Sequence, residues 1–246
     1  MRVSQQPAYI LHHYSYGETS LLLEVFSREY GRLGLLAKGA RRMRQRQRVW
    51  LEAFQPLLIG WSGRGELPVL SAAELVSDTV SLEGEALYCA FYLNELLLRL
   101  LHRHDPHQAL YDAYGKALHA LANSQQIEDT LRVFEKRLLQ ELGYGLVLES
   151  EMVNNSPIDP EATYEYVVNR GPMRVIDDEQ GRNTEAIVIQ GSSLIALAQE
   201  TFSDPLALQQ SKTLMRAALR HYLAGKPINT RKLFRNMKDT PLGDLD

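Results

Sequence analysis

The sequence predicts an α+β protein, a small closed β-barrel followed by a mainly α-helical C-terminal domain that carries a small β-hairpin. Two observations lead to this reading. Residues 8–78 hold five β-rich runs separated by turn residues, whereas after Ser81 the apolar residues recur at three- and four-residue spacing. The chain has 246 residues, 45% apolar and 23% charged, which suits one large or two modest globular domains and excludes wholesale disorder. The expected division lies between domains 1–80 and 81–246.

Ala8–Tyr16 and Thr19–Phe26 form the first pair of strands, with Gly17-Glu18 as a hairpin-length connection. Tyr30-Gly31-Arg32 is a turn before Leu33–Lys38, and Gly39 opens a long basic loop. Phe54–Trp61 and Leu67–Val76 are the last two runs, split by the turn Ser62–Glu66. Five short strands with one basic insertion suggest a closed barrel rather than a sandwich. The five-stranded oligonucleotide-binding (OB) barrel is the natural candidate.

The first helix is expected over 82–103, with Ala86, Leu87, Ala90, Phe91, Leu93, Leu97, Leu98 and Leu101 on a stripe buried over much of the surface. Asp105-Pro106 breaks it and starts a second, 106–123. A third, 127–142, turns Leu131, Phe134 and Leu138 inward and ends at Gly143 and Gly145. Thr163–Asn169 and Met173–Ile176 read as a hairpin around Arg170-Gly171-Pro172. Helices near 192–199, 206–224 and 229–238 follow, and the last eight residues are expected to fray.

The formal net charge of −3 hides a segregation. From Arg28 to Arg48 there are eight basic residues against one acidic, and from Pro205 to Lys238 eight basic and none acidic. Glu149 to Glu185 carries nine acids and three arginines. Phosphate binding responds to the local field, so two basic clusters in an acidic chain point to nucleic acid. One such run by itself reads equally well as a solvated face.

Enzyme chemistry lacks a constellation. There is no G-x-x-x-x-G-K-[ST] phosphate loop and no G-x-G-x-x-G opening a helix. His102, His104 and His107 straddle a helix end, where cationic histidines have an ordinary electrostatic reason to sit. Cys89, the one cysteine, falls in the apolar stripe and reads as a core thiol; Asp177-Asp178 reads as a solvated turn. With no apolar run of 18 residues and no apolar core near the N-terminus, the expectation is a cytoplasmic protein with neither membrane, metal nor cofactor.

Several stretches together carry a family resemblance. They are Gly17-Glu18-Thr19-Ser20-Leu21, Gly31-Arg32, Ala37-Lys38-Gly39-Ala40-Arg41, Phe54-Gln55-Pro56-Leu57 and Gly63-Arg64-Gly65-Glu66-Leu67 in the barrel. In the helical part they are Tyr92-Leu93-Asn94-Glu95-Leu96-Leu97, Arg132-Val133-Phe134-Glu135, Leu142-Gly143-Tyr144-Gly145 and Tyr222–Pro227 with Leu233-Phe234-Arg235. In this order, over nearly the whole chain, the set resembles the bacterial recombination mediator family RecO. The resemblance implies a non-enzymatic, nucleoid-associated DNA-repair protein that binds single- and double-stranded DNA and anneals complementary strands. It further implies action with RecR to load recombinase onto DNA coated by single-stranded-DNA-binding protein, whose acidic C-terminal tail it docks. Some members carry a four-cysteine zinc module between the third helix and the hairpin. This chain has no cysteine there and is similar to the zinc-free members.

The residues suggest where such contacts fall. Arg32, Lys38, Arg41, Arg42, Arg44, Arg46 and Arg48 supply an arginine-rich strand end and loop able to follow a phosphate backbone, with Trp50 as a stacking candidate beside them. Tyr14, Tyr16 and Tyr30 are further ring candidates, each equally readable as core or rim. Lys226, Arg231, Lys232 and Arg235 offer a second phosphate surface, and two such surfaces give a physical route to annealing. For the acidic tail, the third helix offers Leu131, Phe134 and Leu138 inward with Arg132, Lys136 and Arg137 outward; Arg132 matches the family's basic rim position. Two other readings compete: a nucleic-acid enzyme with an unrecognised site, and an RNA-binding OB protein. The ordered resemblance decides for the mediator.

Overall fold

The five expected strands are present in a computed structural model, which describes residues 2–42, 51–65, 67–76, 80–123, 126–175 and 186–230. Strands β1 (Arg2–Tyr16), β2 (Ser20–Ser27), β3 (Gly31–Ala37), β4 (Leu57–Ser62) and β5 (Val69–Leu75) close into a barrel of order β1-β2-β3-β5-β4. The length of β1 makes closure possible. Its second half pairs antiparallel with β2 and its first half with β4, while β3 meets β5 in parallel at Leu36 and Val69. Alternation sends Leu21, Leu23 and Val25 of β2 and Leu33, Leu35 and Ala37 of β3 into one apolar core with Ile10, Leu57, Ile59 and Trp61. Each such aliphatic side chain contributes about 1.5–3 kcal/mol by leaving water.

Helices α1 (Gly84–Leu100), α2 (Gln108–Ala122) and α3 (Ile127–Glu141) fall within the expected spans, as do α4 (Gly191–Gln199) and α5 (Pro205–Tyr222) to within a residue. Of the expected final helix, Asn229 and Thr230 are helical, and the rest lies outside the described residues. The expected hairpin is present as β6 (Thr163–Val167) and β7 (Gly171–Arg174), and β8 (Ile187–Gln190) adds to the other edge of β6 to make a three-stranded sheet. The four residues of β8 are too few to show an alternation of their own. They pair because β6 buries Tyr164 and Tyr166 and leaves a second edge to be satisfied.

Packing divides the chain into two compact units, one of residues 1–125 with the chain from Ile228, the other of residues 126–227. In the first, Asn229 N, Thr230 N and Thr230 Oγ1 each donate to the Glu95 carboxylate of α1 at 2.8 Å, and Arg99 lies 2.6 Å from it. Burial pushes the Glu95 carboxyl up, but these donors and Arg99 outweigh it and hold the group below its ordinary value.

A β-bulge in β1 positions the surface described next. The register with β2 runs Ile10 to Val25 and then His12 to Glu24, leaving Leu11 extra. The carbonyl of that extra residue accepts from the buried Asn94 amide at 2.8 Å, and Tyr114 in turn donates its hydroxyl to Asn94. A polar group that the bulge would leave unpaired is thus satisfied from α1.

Candidate nucleic-acid interface

The bulge changes which face of β1 the following residues occupy. Ala8 and Ile10 point into the core, and strict alternation would send residues 12, 14 and 16 after them. With one residue inserted, His12, Tyr14 and Tyr16 instead lie opposite Glu24, Leu22 and Ser20 on the outer face, in line with Tyr9. One end of this face is covered: Tyr9 and Phe26 pack edge-on or tilted against Tyr111 and Tyr114 of α2, with centroids 5.0–6.4 Å apart. The other end is open. Tyr14 and Tyr16 are 49% and 51% exposed, and the His12 ring meets Tyr14 edge-on at 4.5 Å. Burial and neighbouring His13 lower the His12 pKa against the pull of Glu24, so at neutral pH His12 is an uncharged ring.

Between the covered and open ends lies a buried carboxylate with two guanidinium partners. Glu24 is 7% exposed; Arg103 donates to its Oε1, and Arg32 Nε lies 3.8 Å from Oε2. Arg32 also donates to the Leu98 carbonyl. Burial lowers the Arg32 pKa while Glu24 opposes that shift. Room for Arg103 comes from Gly34, where a Cβ would stand 2.9 Å from its Nη1. Two cations on one carboxylate leave a net positive centre under the edge of the ring stripe. Gly31 opens the same strand at φ 64°, and a Cβ there would sit 2.1 Å from the Asp105 carbonyl oxygen, so only glycine fits this approach.

The basic loop springs from the open end. After β3, Arg41 N donates to Thr19 O at 2.9 Å and its guanidinium to Gly17 O at 3.1 Å, tying the loop to the β1–β2 turn beside Tyr16. Lys38, Arg41 and Arg42 are exposed around the buried Ala40. Rings and cations therefore meet at one end of the barrel, a combination that suits stacked bases on a polyanionic backbone.

Not every expected contact lies there. Arg32 is half-buried and held by Glu24 and Leu98, so it supports the face from below rather than projecting from the loop. Arg28 is spent on Asp112 through two hydrogen bonds of 3.1 Å. Tyr30 packs edge-on against Trp61 at 5.0 Å, a core role. Arg44, Arg46, Arg48, Trp50, Arg231, Lys232 and Arg235 lie outside the described residues; Lys226 is exposed. Cys89 is half-buried rather than sunk in the core. Among the described residues no group of three or more His, Cys, Asp or Glu could hold a metal ion, and no helix is long and apolar enough to cross a membrane.

The expected basic rim of α3 needs correction. Arg132 is 3% exposed and bonds Glu135, fully buried, at 2.7 Å, so it does not point outward. The buried arc of α3 is wider than its apolar stripe, and opposite charges three residues apart neutralise each other inside it. Leu138 is fully buried and Leu131 half-buried. Lys136 donates to Ala198 O at 2.6 Å and to Glu200 at 3.2 Å, and Arg137 clamps the same carboxylate. These cations close the C-terminus of α4, whose carbonyls need donors. Burial raises the Glu200 carboxyl, but its bonds to Arg137 and Lys136 prevail and hold it below its ordinary value. Beside Lys136 a cavity of about 420 Å³ opens, lined by Gln140, Leu146, Val147, Leu148, Glu149 and Ala198 among others.

The barrel order and the ring-and-cation face define an OB-fold protein. Its N-terminal 78 residues match the family model for the recombination protein O N-terminal domain, and residues 81–232 match that for its C-terminal domain. The chain is 47% identical over 241 residues to the DNA repair protein RecO of Dechloromonas aromatica, covering 97% of this chain and 98% of that one. It is 44% identical over 238 residues to RecO of Nitrosococcus oceani, covering 97% and 95%, and 45% identical over 232 residues to RecO of Coxiella burnetii strain RSA 331, covering 94% and 98%. The chain belongs to the RecO family of DNA repair proteins.

Proposed function

We propose that this protein is a recombination mediator without catalytic turnover. It binds single- and double-stranded DNA, anneals complementary strands and, with RecR, helps load recombinase on DNA coated by single-stranded-DNA-binding protein. The observation that carries this reading is the open end of the barrel, where Tyr14 and Tyr16 stand beside the loop anchored by Arg41. Exposed rings accept bases of any sequence, and an arginine-rich loop follows a backbone of variable path while releasing counterions. The same cations serve duplex DNA through phosphate contacts alone. For the acidic tail of the coating protein, the cavity beside Lys136 is the receiving site, since it joins apolar walls at Leu146, Val147 and Leu148 to an ammonium group. Arg132 then acts from within the fold, and Lys136 is the contact.

The test is annealing of complementary oligonucleotides, bare and coated with cognate single-stranded-DNA-binding protein, without ATP and with a chelator. Wild-type protein should anneal both. Replacing Arg41, Arg42, Arg44, Arg46 and Arg48 with alanine should weaken both reactions, whereas Lys136→Ala should impair only the coated one. Folded wild-type protein that fails to anneal, or that prefers RNA to single-stranded DNA at equal salt, refutes the proposal.

A further inference from the structure

A second ring-and-cation cluster lies within the unit of residues 126–227. Tyr144, between Gly143 and Gly145 after α3, stacks on Tyr222 at the end of α5, with ring centroids 4.3 Å apart and planes 16° from parallel. One face of Tyr144 is covered by its neighbour, yet the residue is 42% exposed, so it stays open to solvent in part despite the stack. The stack is held at its edge. Tyr222 donates its hydroxyl to Asn169 Oδ1, and the Asn169 amide nitrogen lies 2.7 Å from His221 Nε2. Asn169 is itself fixed in the β6–β7 turn, at φ 72°.

Three cations lie close to these residues along the chain. Arg170 follows Asn169 in the turn, Arg220 is in the last turn of α5, and Lys226 follows the helix; all three are exposed. None of the ion pairs among the described residues involves them, whereas Lys212 of the same helix is paired with Glu128. Attraction to the α5 carbonyl end explains part of such a cluster. It does not explain Arg170, which comes from the sheet. Two of the end carbonyls are, moreover, already taken: Ala224 N bonds His221 O at 3.0 Å and Gly225 N bonds Arg220 O at 2.9 Å. A clamp that merely joined two segments would also bury its rings.

We infer that the Tyr144–Tyr222 stack, with Arg170, Arg220 and Lys226, is a second single-strand nucleic-acid site, in which an unpaired base stacks on Tyr144 and the flanking phosphates lie on the three cations. The occupant is single-stranded because a flat, open ring accepts a base face, which a duplex keeps inside its own stack. This assignment rests on the nucleic-acid reading above but needs neither the barrel face nor the basic loop.

The test uses the full chain and an oligothymidylate carrying 5-iodouracil, cross-linked by light and mapped by mass spectrometry, with affinities measured in parallel for single strands and duplex. Cross-links are expected at Tyr144 as well as in the barrel. Tyr144→Leu should remove that cross-link and lower single-strand affinity about tenfold, the worth of one stacked base, with duplex affinity unchanged. Tyr144→Phe should keep both properties. The double change Arg220→Ala and Lys226→Ala should reduce the salt slope for single strands by about 1.4, or two phosphates. Retained folding of each variant is checked by circular dichroism, and Tyr144→Phe reports on the ring even if the leucine variant unfolds. If wild-type protein binds no oligonucleotide, the functional reading fails first. If it binds and cross-links only within the barrel, or if Tyr144→Phe loses the affinity that the stack should preserve, this site is refuted alone.

Discussion

Replacing Arg132 with alanine separates a structural from a contact role for that residue. Arg132 and Glu135 are 3% and 0% exposed and bonded at 2.7 Å, so the substitution takes the Arg132 cation away from a carboxylate in the interior of the unit. Breaking a buried pair from one side costs about 3–5 kcal/mol, against roughly 5–15 kcal/mol of stability for a whole domain. With a urea dependence near 2–3 kcal/mol per molar, the unfolding midpoint of this unit should fall by about 1–2 M. Replacing both residues, Arg132→Met with Glu135→Leu, should restore most of the loss, because an apolar pair of similar volume needs no compensation. The assay is urea denaturation together with amide hydrogen exchange across α3, which reports local opening even if the two units unfold separately. An Arg132→Ala protein with an unchanged midpoint and unchanged exchange, yet defective on coated DNA, would refute the buried-pair argument and return Arg132 to the surface.

Three further outcomes follow from the first unit. Asn94→Leu removes the donor to the Leu11 carbonyl and the acceptor of the Tyr114 hydroxyl; a loss of about 2–3 kcal/mol is expected in thermal or urea unfolding, with single-strand affinity falling as the Tyr14–Tyr16 face loosens. Gly31→Ala places a Cβ 2.1 Å from Asp105 O at positive φ, so expression of soluble protein should drop and the stability read from thermal unfolding should fall by well over the ordinary single-substitution effect of about 1 kcal/mol. The Glu95 carboxyl is held below its ordinary value in the folded state. Its contribution is therefore fully present above the unfolded glutamate pKa and lost as pH falls through the lower folded one. Glu95→Gln should be less stable than wild type at pH 7 and converge on it only as the pH falls below the lowered folded-state pKa, measured as unfolding midpoints along the pH series.

Much of the fold was legible because periodicity reports burial directly. The three- and four-residue spacing from Ala86 to Leu101 matches α1, and the turn residues at Gly17, Gly31 and Gly63 separate strands that the structure contains. The short strand Ile187–Gln190 was not legible, since four residues carry no period and their pairing depends on an edge supplied by β6. The site divides in the same way. The basic loop after β3 is a composition signal and was visible, and the exposed positions of Lys38, Arg41 and Arg42 agree with it. The side on which Tyr14 and Tyr16 stand was not visible, because one inserted residue at Leu11 reverses the parity of everything after it. The only sequence trace of that insertion is a polar residue, Asn94, at an otherwise apolar position of the helix that satisfies the bulge.

Sequence alone thus determined most of the strand and helix content, the barrel class, the placement of its basic segments and the family, because those properties depend on local composition and on ordered motifs. Tertiary structure decided which charges are available. Arg132 is buried against Glu135, Arg137 is committed to Glu200 at the end of α4, and Arg32 is held under the barrel face by Glu24. A charge on a helix or strand reads the same in sequence whether it faces water or a buried partner; packing brings Glu135, Glu200 and Glu24 to these cations, and the cost of leaving any of them unpaired inside holds the arrangement.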